Sequence, residues 1–233
     1  MRFKVLQYGI KQNIEGLKSK IPEEVKLLAV SKTKPLEELE EAYMAGVRDF
    51  GENKVQELVR KSENFHDDVK WHFIGQLQSN KVKYLVDKVY LIHSLGSISL
   101  LNEIEKVFGK DNKVANTLIQ INIGREDSKS GILEEKLYEF IEAIEKCNNV
   151  SVSGIMVIIP VGDEESNRKY FKRTKEIFDE LKEKEYKNVT MKILSMGMTH
   201  DFMTAIKEGS NLVRIGTGIF GERNYIIGVG NNE

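Results

Sequence analysis

The sequence predicts an α/β fold, a single-domain (β/α)8 TIM barrel with an extra helix ahead of its first strand. Three observations carry that prediction. Short β-rich runs alternate with amphipathic helical stretches along the chain, the pattern of parallel strands joined by crossover helices. Eight strand candidates can be counted, and eight regular repeats favour a closed barrel over an open doubly wound sheet. The 233 residues contain only three prolines and no Gly/Ser-rich linker, so residues 1–233 read as one domain of the roughly 200–250 residues usual for a barrel.

The elements follow in order. A helical pattern over about 5–20 belongs to an N-terminal helix and linker spanning 1–25. The first strand is "KLLAVSK" (26–32), and the helix "LEELEEAYMAG" (36–46) follows Pro35. Strands are then expected at "VRDFGE" (47–52), "KWHFIG" (70–75), "VYLIHSL" (89–95) and "TLIQINI" (117–123), each a β-branched or aromatic run. The helix "EEKLYEFIEAIEKC" (134–147) precedes "VSGIMVI" (152–158), and "NRKYFKRTKEIFDELKEKE" (167–185) precedes "MKILSMG" (191–197). Thr199 is a candidate N-cap for the helix in "HDFMTAIKEG", and "NLVRIGTG" (211–218) is the last strand before a short tail, 224–233.

Composition removes several function classes. The formal net charge of −1 provides no basic field for nucleic acid or an anionic membrane surface. Cys147 is the sole cysteine and has no ligand neighbours at zinc spacing, so neither a disulfide nor a metal site is expected. No stretch approaches the roughly 18 apolar residues that cross a bilayer, and no cleavable leader is visible. A cytoplasmic protein is expected.

Strand side chains alternate between faces. In "LLAVSK", Leu28, Val30 and Lys32 share one face, and Leu27, Ala29 and Ser31 the other. The bulky set suits the barrel interior, which aims Lys32 at the axis at the C-terminal mouth, where barrel active sites lie. Lys34 has the same parity but lies beyond the strand end, beside Pro35. The structural alternative for Lys32 is an end-of-strand lysine that snorkels to water. In a partly dry mouth its amine would titrate below the free value of ~10.4 and become nucleophilic toward a carbonyl, forming an imine.

The last two strands run into "LSMGMTHD" (194–201) and "VRIGTGIFGER" (213–223). Glycine lets backbone N–H groups approach an anion, and Ser195 and Thr217 add hydroxyl donors. Barrels often bind phosphate after strands seven and eight, so Ser195, Gly216 and Thr217 are candidate phosphate ligands; the alternative is simple tight turns. Arg214 shares a face with Leu212 and Gly216, hence the interior, where an unpaired charge is costly. It needs either a barrel carboxylate or a ligand acceptor. An imine lysine, a phosphate cradle and an inward arginine together match the aldehyde, phosphate and ring nitrogen of pyridoxal 5′-phosphate (PLP); a phosphorylated sugar aldehyde fits nearly as well.

The blocks "AVSKTKP", "FGENKVQE", "WHFIGQLQSNK", "SMGMTHD" and "VRIGTGIFGER" closely resemble the pyridoxal phosphate homeostasis protein family, also called the proline synthetase co-transcribed homologue family, over about residues 26–223. The resemblance implies a barrel of the alanine racemase N-terminal type that binds PLP through an imine. It implies Lys32, not Lys34, as the imine lysine, Ser195, Gly216 and Thr217 at the phosphate, Arg214 facing the ring nitrogen and Asn53 beside the cofactor ring. Thr199 stands where that pattern has serine. Within "WHFIGQLQSNK", His72 shares parity with Ile74 and reads as an inward core histidine, and Trp71 as packing against the helices. Gln76, Gln78 and Asn80 fit the mouth or a helix cap, and "DELKEKEYK" (179–187) is a solvated helix face.

Three functions are weighed. The first is a PLP carrier, with apo PLP-dependent enzymes as recipients. The second is a PLP-dependent amino-acid racemase or decarboxylase. Enzymes resembling this barrel add a C-terminal β domain that supplies a tyrosine acid/base across a dimer. This chain ends ten residues after Arg223, with Tyr225 a poor substitute, so a carrier without that catalytic group, and a monomer, is expected. The third is a phosphosugar aldolase acting through Lys32.

Overall fold

The structure is a computed structural model and describes residues 9–126 and 129–222. Its strands are β1 (Lys26–Val30), β2 (Asp49–Glu52), β3 (Lys70–Phe73), β4 (Leu91–Leu95), β5 (Ala115–Ile121), β6 (Val150–Val157), β7 (Val189–Ser195) and β8 (Leu212–Ile215). Its helices are α1 (Ile10–Lys18), α2 (Leu36–Met44), α3 (Val55–Ser62), α4 (Ile98–Lys110), α5 (Leu137–Ile144), α6 (Glu164–Lys182), α7 (Phe202–Lys207) and α8 (Thr217–Phe220). Neighbouring strands pair in parallel and in sequence order, and β1 pairs β8 to close the barrel. Every predicted strand is present. Residues 1–8, Arg223, Tyr225 and the tail fall outside the described residues.

Parity holds along β1, β2 and β8, while bulges interrupt it between β4 and β7. Leu28 lies opposite Arg214 and Val30 opposite Gly51, so these four share the inner face. Ala29, Phe50, Trp71, Phe73 and Ile92 point outward into one large apolar shell between barrel and helices. Trp71 packs there against Phe50 and Phe65, as its parity requires. The interior is different. Its apolar cluster comprises Leu91, Leu118 and Met156, flanked by Ile158 and Ile193. Much of the remaining inner space holds polar side chains.

Several boundaries shift for local reasons. β1 ends at Val30, because the chain turns at Thr33, whose φ of 65° lies in the left-handed region. That is a strained setting for a β-branched residue. The helix expected over 134–147 divides into a single 3₁₀ turn, Glu134–Lys136, and α5. α6 begins at Glu164, earlier than its periodicity suggests, because the Asp163 carboxylate accepts the Ser166 N–H at 2.8 Å. Thr199 does not cap α7: that helix starts at Phe202, and the Thr199 hydroxyl oxygen accepts the Gly218 N–H at 3.3 Å.

The extra helix has a structural use. β8 is followed only by the four residues of α8, too few to cover the seam between β8 and β1. α1 packs against both α2 and α8, with Ile14 fully buried and the Asn13 side-chain N–H donating to the Ile219 carbonyl at 2.9 Å. It therefore supplies the outer layer that the last repeat lacks.

Candidate functional site

A cavity of about 270 Å3 opens at the C-terminal ends of the strands. Its wall includes Val30, Lys32, Asn53, Ile74, Thr199, Arg214, Gly216 and Thr217. Five of the six sequence-predicted residues thus converge from β1, β2 and β8. A larger hollow, about 490 Å3, lies at the opposite face. Most of its charges are already matched: Lys26 pairs Asp49, Arg48 pairs Asp68, and Lys18 donates to the Ala45 carbonyl. The smaller cavity carries the chemistry.

Lys32 is held from behind. Ser31, on the opposite face, donates its hydroxyl to Glu52 Oε1 at 2.6 Å. Lys61 of α3 donates to Glu52 Oε1, Glu57 Oε1 and the Ser31 carbonyl, each at 2.8 Å. Glu57 also accepts the Thr33 N–H at 2.7 Å. This buried cluster fixes the residues on both sides of Lys32, and it explains why "FGENKVQE" is rich in carboxylates. Lys34, by contrast, turns away to Glu38, 3.0 Å distant, and to the Phe220 carbonyl.

Asn53 lies on the turn after β2. A Cβ on Gly75 would lie 2.2 Å from the Asn53 carbonyl oxygen, so only glycine lets the loop after β3 close against it. The Asn53 side-chain Oδ1 is buried without a hydrogen-bond partner. Across the cavity, a Cβ at Gly216 would come within 3.3 Å of the Val30 carbonyl oxygen. There the main chain itself forms the wall. Thr199 accepts from Gly218 and keeps its own hydroxyl proton to donate.

Arg214 forms the floor and is 4% exposed. Nη1 donates to the Ser195 carbonyl and hydroxyl at 2.8 and 2.7 Å, and Nη2 to the Val157 carbonyl at 2.8 Å. Among the described residues no carboxylate pairs with it, so the barrel ion pair considered from sequence is not formed. Burial lowers its pKa to about 10, which leaves it cationic at neutral pH. A guanidinium has five N–H donors, and these bonds engage three.

Ser195 is not on the cavity wall. Although its parity points inward, it lies one layer down, fully buried, with Arg214 between it and the mouth. Of the phosphate ligands expected from sequence, Gly216 and Thr217 line the cavity, where Thr199 joins them. Ser195 begins a hydrogen-bonded chain that sequence reading missed. Its Oγ lies 3.2 Å from His93 Nδ1; His93 Nε2 lies 2.9 Å from His72 Nδ1; His72 Nε2 lies 2.9 Å from Asp49 Oδ1. The ionised Asp49 carboxylate can only accept, and with neutral imidazoles that fixes every proton. Ser195 accepts from Arg214 and gives its proton to His93 Nδ1. His93 then donates from Nε2 to His72, and His72 from Nε2 to Asp49. The chain runs in one direction from the mouth to the far face, with both imidazoles neutral. Burial depresses both histidines, His93 strongly and His72 against the pull of Asp49. Asp49 stays ionised despite its own burial, its pKa lowered by His72 and Lys26.

His200 is the remaining titratable group on the wall among the described residues besides Lys32 and Arg214. It is exposed and has no hydrogen-bond partner among those residues.

The spare Arg214 donors, the Gly216 approach, the lysine amine and the orphaned Asn53 acceptor oxygen form a polar set that PLP fits. The comparisons agree in fold and family. The sequence profile of the alanine racemase N-terminal domain matches residues 8–224. The pyridoxal phosphate homeostasis protein of Aquifex aeolicus (strain VF5) is 50% identical over 202 residues, covering 86% of this chain and 88% of that protein. Its counterpart in Pasteurella multocida (strain Pm70) is 41% identical, covering 93% and 95%. PipY of Synechococcus elongatus PCC7942 has been solved without PLP and with PLP bound. The two structures superpose with TM-scores of 0.85 and 0.83 at 32% identity, covering 91% of this chain and 100% of PipY. On fold, motif order and identity, the chain belongs to the pyridoxal phosphate homeostasis protein family, built on the alanine racemase N-terminal barrel.

Proposed function

We propose that the C-terminal mouth binds PLP as an imine on Lys32 and that the protein acts in the cytoplasm as a holder and donor of the cofactor. The observation that carries this reading is Arg214, a buried cation without a carboxylate, with unused donors beside a cavity that also holds a lysine. The names of the relatives and the PLP-bound PipY structure support the same ligand. PLP supplies a reactive aldehyde; the residues of this chain decide where it sits. Lys32 provides the amine. Thr199, Gly216 and Thr217 offer hydroxyl and backbone donors to the phosphate. Arg214 presents N–H groups to the ring nitrogen, and Asn53 lies beside the ring. Ser195, through its carbonyl and hydroxyl, orients Arg214 and does not itself reach the phosphate.

The same geometry favours a carrier over a racemase or decarboxylase. Carbanion chemistry needs a second acid/base group fixed across from the lysine. His200 is exposed and nothing holds it there, and the two buried histidines lie beneath Arg214, out of reach of the cavity. Release needs only an incoming amine, such as the lysine of an apo PLP-dependent enzyme. The protein is read as a monomer that meets such enzymes transiently.

The test has two arms. Purified protein loaded with PLP should absorb in the visible, which a sugar imine would not, and borohydride should fix the adduct on Lys32. Mixed with an apo-enzyme, the loaded protein should restore that enzyme's activity, with Lys32→Ala inactive. Multiple-turnover racemisation by the isolated chain, lost in Lys32→Ala and in His200→Ala, would overturn the carrier reading.

A further inference from the structure

A second polar cavity, about 410 Å3, lies at the C-terminal ends of β3 and β4 and shares no lining residue with the cofactor mouth. Three segments form it: the loop after β3 at Gln76 and Leu77, the end of β4 running into α4, and the residues 129–131. The last segment is pinned to β5. The Ile132 N–H donates to the Gln120 carbonyl at 2.8 Å, the Asn122 N–H to the Ile132 carbonyl at 2.9 Å, and the Gln120 side chain to the Ser130 carbonyl at 2.8 Å. Gly131 has φ +131°, and a Cβ there would lie 2.7 Å from the Asn122 nitrogen, so this wall is built only with glycine.

Two independent features of the cavity are unexplained by the fold. The first is Ser94. The β4–β5 register shifts between Ile92 and Leu95, and Ser94, inside that irregularity, lies on the wall of this cavity. It is 5% exposed, and its buried hydroxyl has no hydrogen-bond partner. A buried hydroxyl left unpaired is unfavourable unless something arrives to bond it. The second is the start of α4, a thirteen-residue helix that opens on the cavity at Ser97. Ser97 Oγ accepts the Leu100 N–H at 3.2 Å, and the Leu101 N–H bonds the Ser97 carbonyl. The N–H groups of Ile98 and Ser99 have no intrahelical acceptor, and the positive end of the helix dipole lies with them. Lys129 adds an exposed ammonium at the rim.

We propose that this cavity is an oxyanion subsite for a phosphomonoester, separate from the PLP mouth. The wall offers a hydroxyl, backbone N–H groups and an ammonium, with no carboxylate among the described residues that line it. Such a set suits a tetrahedral dianion. Leu77 and Leu100 line the rest of the space, which is far larger than a phosphate ion and accommodates a carbon skeleton. The inference does not depend on how the mouth is read.

Phenyl phosphate and inorganic phosphate are the probes, titrated into the full chain and followed through backbone amide NMR shifts. Saturable shifts at Gly96, Ile98 and Ser99 are expected, tighter for phenyl phosphate than for phosphate. Ser94→Val should weaken them about three- to tenfold, the worth of one hydrogen bond, while leaving the response at Gly216 and Thr217 unchanged. Thr217→Val should do the reverse. Lys129→Gln, at an exposed position that does not threaten folding, should weaken the same shifts and reduce their salt dependence. If the amides at 96–99 do not respond at concentrations that saturate Gly216 and Thr217, or respond equally in Ser94→Val and Lys129→Gln, the subsite does not exist. Equal affinity for the two probes would reduce it to a site for inorganic phosphate and refute the phosphomonoester assignment.

Discussion

Lys61 and Arg214 are both buried cations near the same end of the barrel, and their surroundings are opposites. Lys61, between β2 and α3, has three ammonium donors and three acceptors, two of them carboxylates. Arg214, inside the barrel, donates only to neutral oxygens, and part of its guanidinium is left over beside a cavity. The difference separates two uses of buried charge. A cation with its countercharges present is a clamp, here tying α3 to the strand end that carries Lys32. A cation solvated by carbonyls, with donors to spare, can still take an acceptor that the described residues do not supply.

The largest effect should come from breaking the clamp. Lys61→Met leaves Glu52, fully buried, facing Glu57 without a cation, and burial already pushes the Glu52 carboxyl upward. Loss of one partner of a buried pair costs about 3–5 kcal/mol. Urea unfolding should show it as a lower midpoint with an unchanged slope. Arg214→Met should cost less, about 1–3 kcal/mol, because it strands two carbonyls and a hydroxyl but no charge. Its main consequence should be for the ligand, with PLP affinity reduced at least tenfold and the absorption band shifted. Equal stability losses at the two positions would break the comparison and make Arg214 a structural residue.

The chain below Arg214 sharpens the contrast through pH. His72 and His93 are buried and neutral, with folded pKa values depressed from the ordinary 6.5. A depressed histidine binds protons in the unfolded state before the folded one. Its contribution is complete above the unfolded value and is lost as pH falls below it. Stability should therefore be flat just above pH 6.5 and decline below, by up to about 1.4 kcal/mol per pH unit for each histidine. His93→Gln should remove one histidine's share of that slope and also shift the spectrum of bound PLP, because Ser195 loses its acceptor and Arg214 its orientation. If the slope changes while the spectrum does not, the chain is core packing without influence on the mouth.

Much of this was legible from residue order. Eight β-rich runs fixed the barrel, and alternation along β1 and β8 placed Lys32 and Arg214 inside. Depth was not legible. Ser195 and Arg214 have inward parity on adjacent strands, but only the stagger of the closed barrel puts one beneath the other. The partners of that layer were hidden for a related reason. Asp49 and His72 are 23 residues apart, and His93 and Ser195 are 102 apart. A usable signal was present in "LIHSL", where a histidine follows Leu91 by two residues on the inward face. The clamp was hidden differently: Glu52, Glu57 and Lys61 come from a strand and the helix after it, and only the close packing of α3 on β2 makes them a core.

The smallest effect distinguishes the two lysines of "SKTKP". Lys34 is paired to Glu38 at the partly exposed edge of α2 and caps the Phe220 carbonyl. Removing a pair of that kind costs at most about 1 kcal/mol. Its ammonium is drawn away from the mouth by both partners, and Thr33, pinned by Glu57, fixes the turn that separates it from Lys32. Lys34→Ala should therefore unfold at nearly the wild-type midpoint, and borohydride should still place the PLP adduct on Lys32. Lys32→Ala should abolish the visible band without a comparable loss of stability. A substantial adduct on Lys34 in the wild-type chain would mean that the turn at Thr33 opens when the ligand arrives. The Glu57 carboxylate would then be a gate on the mouth, not part of a fixed clamp.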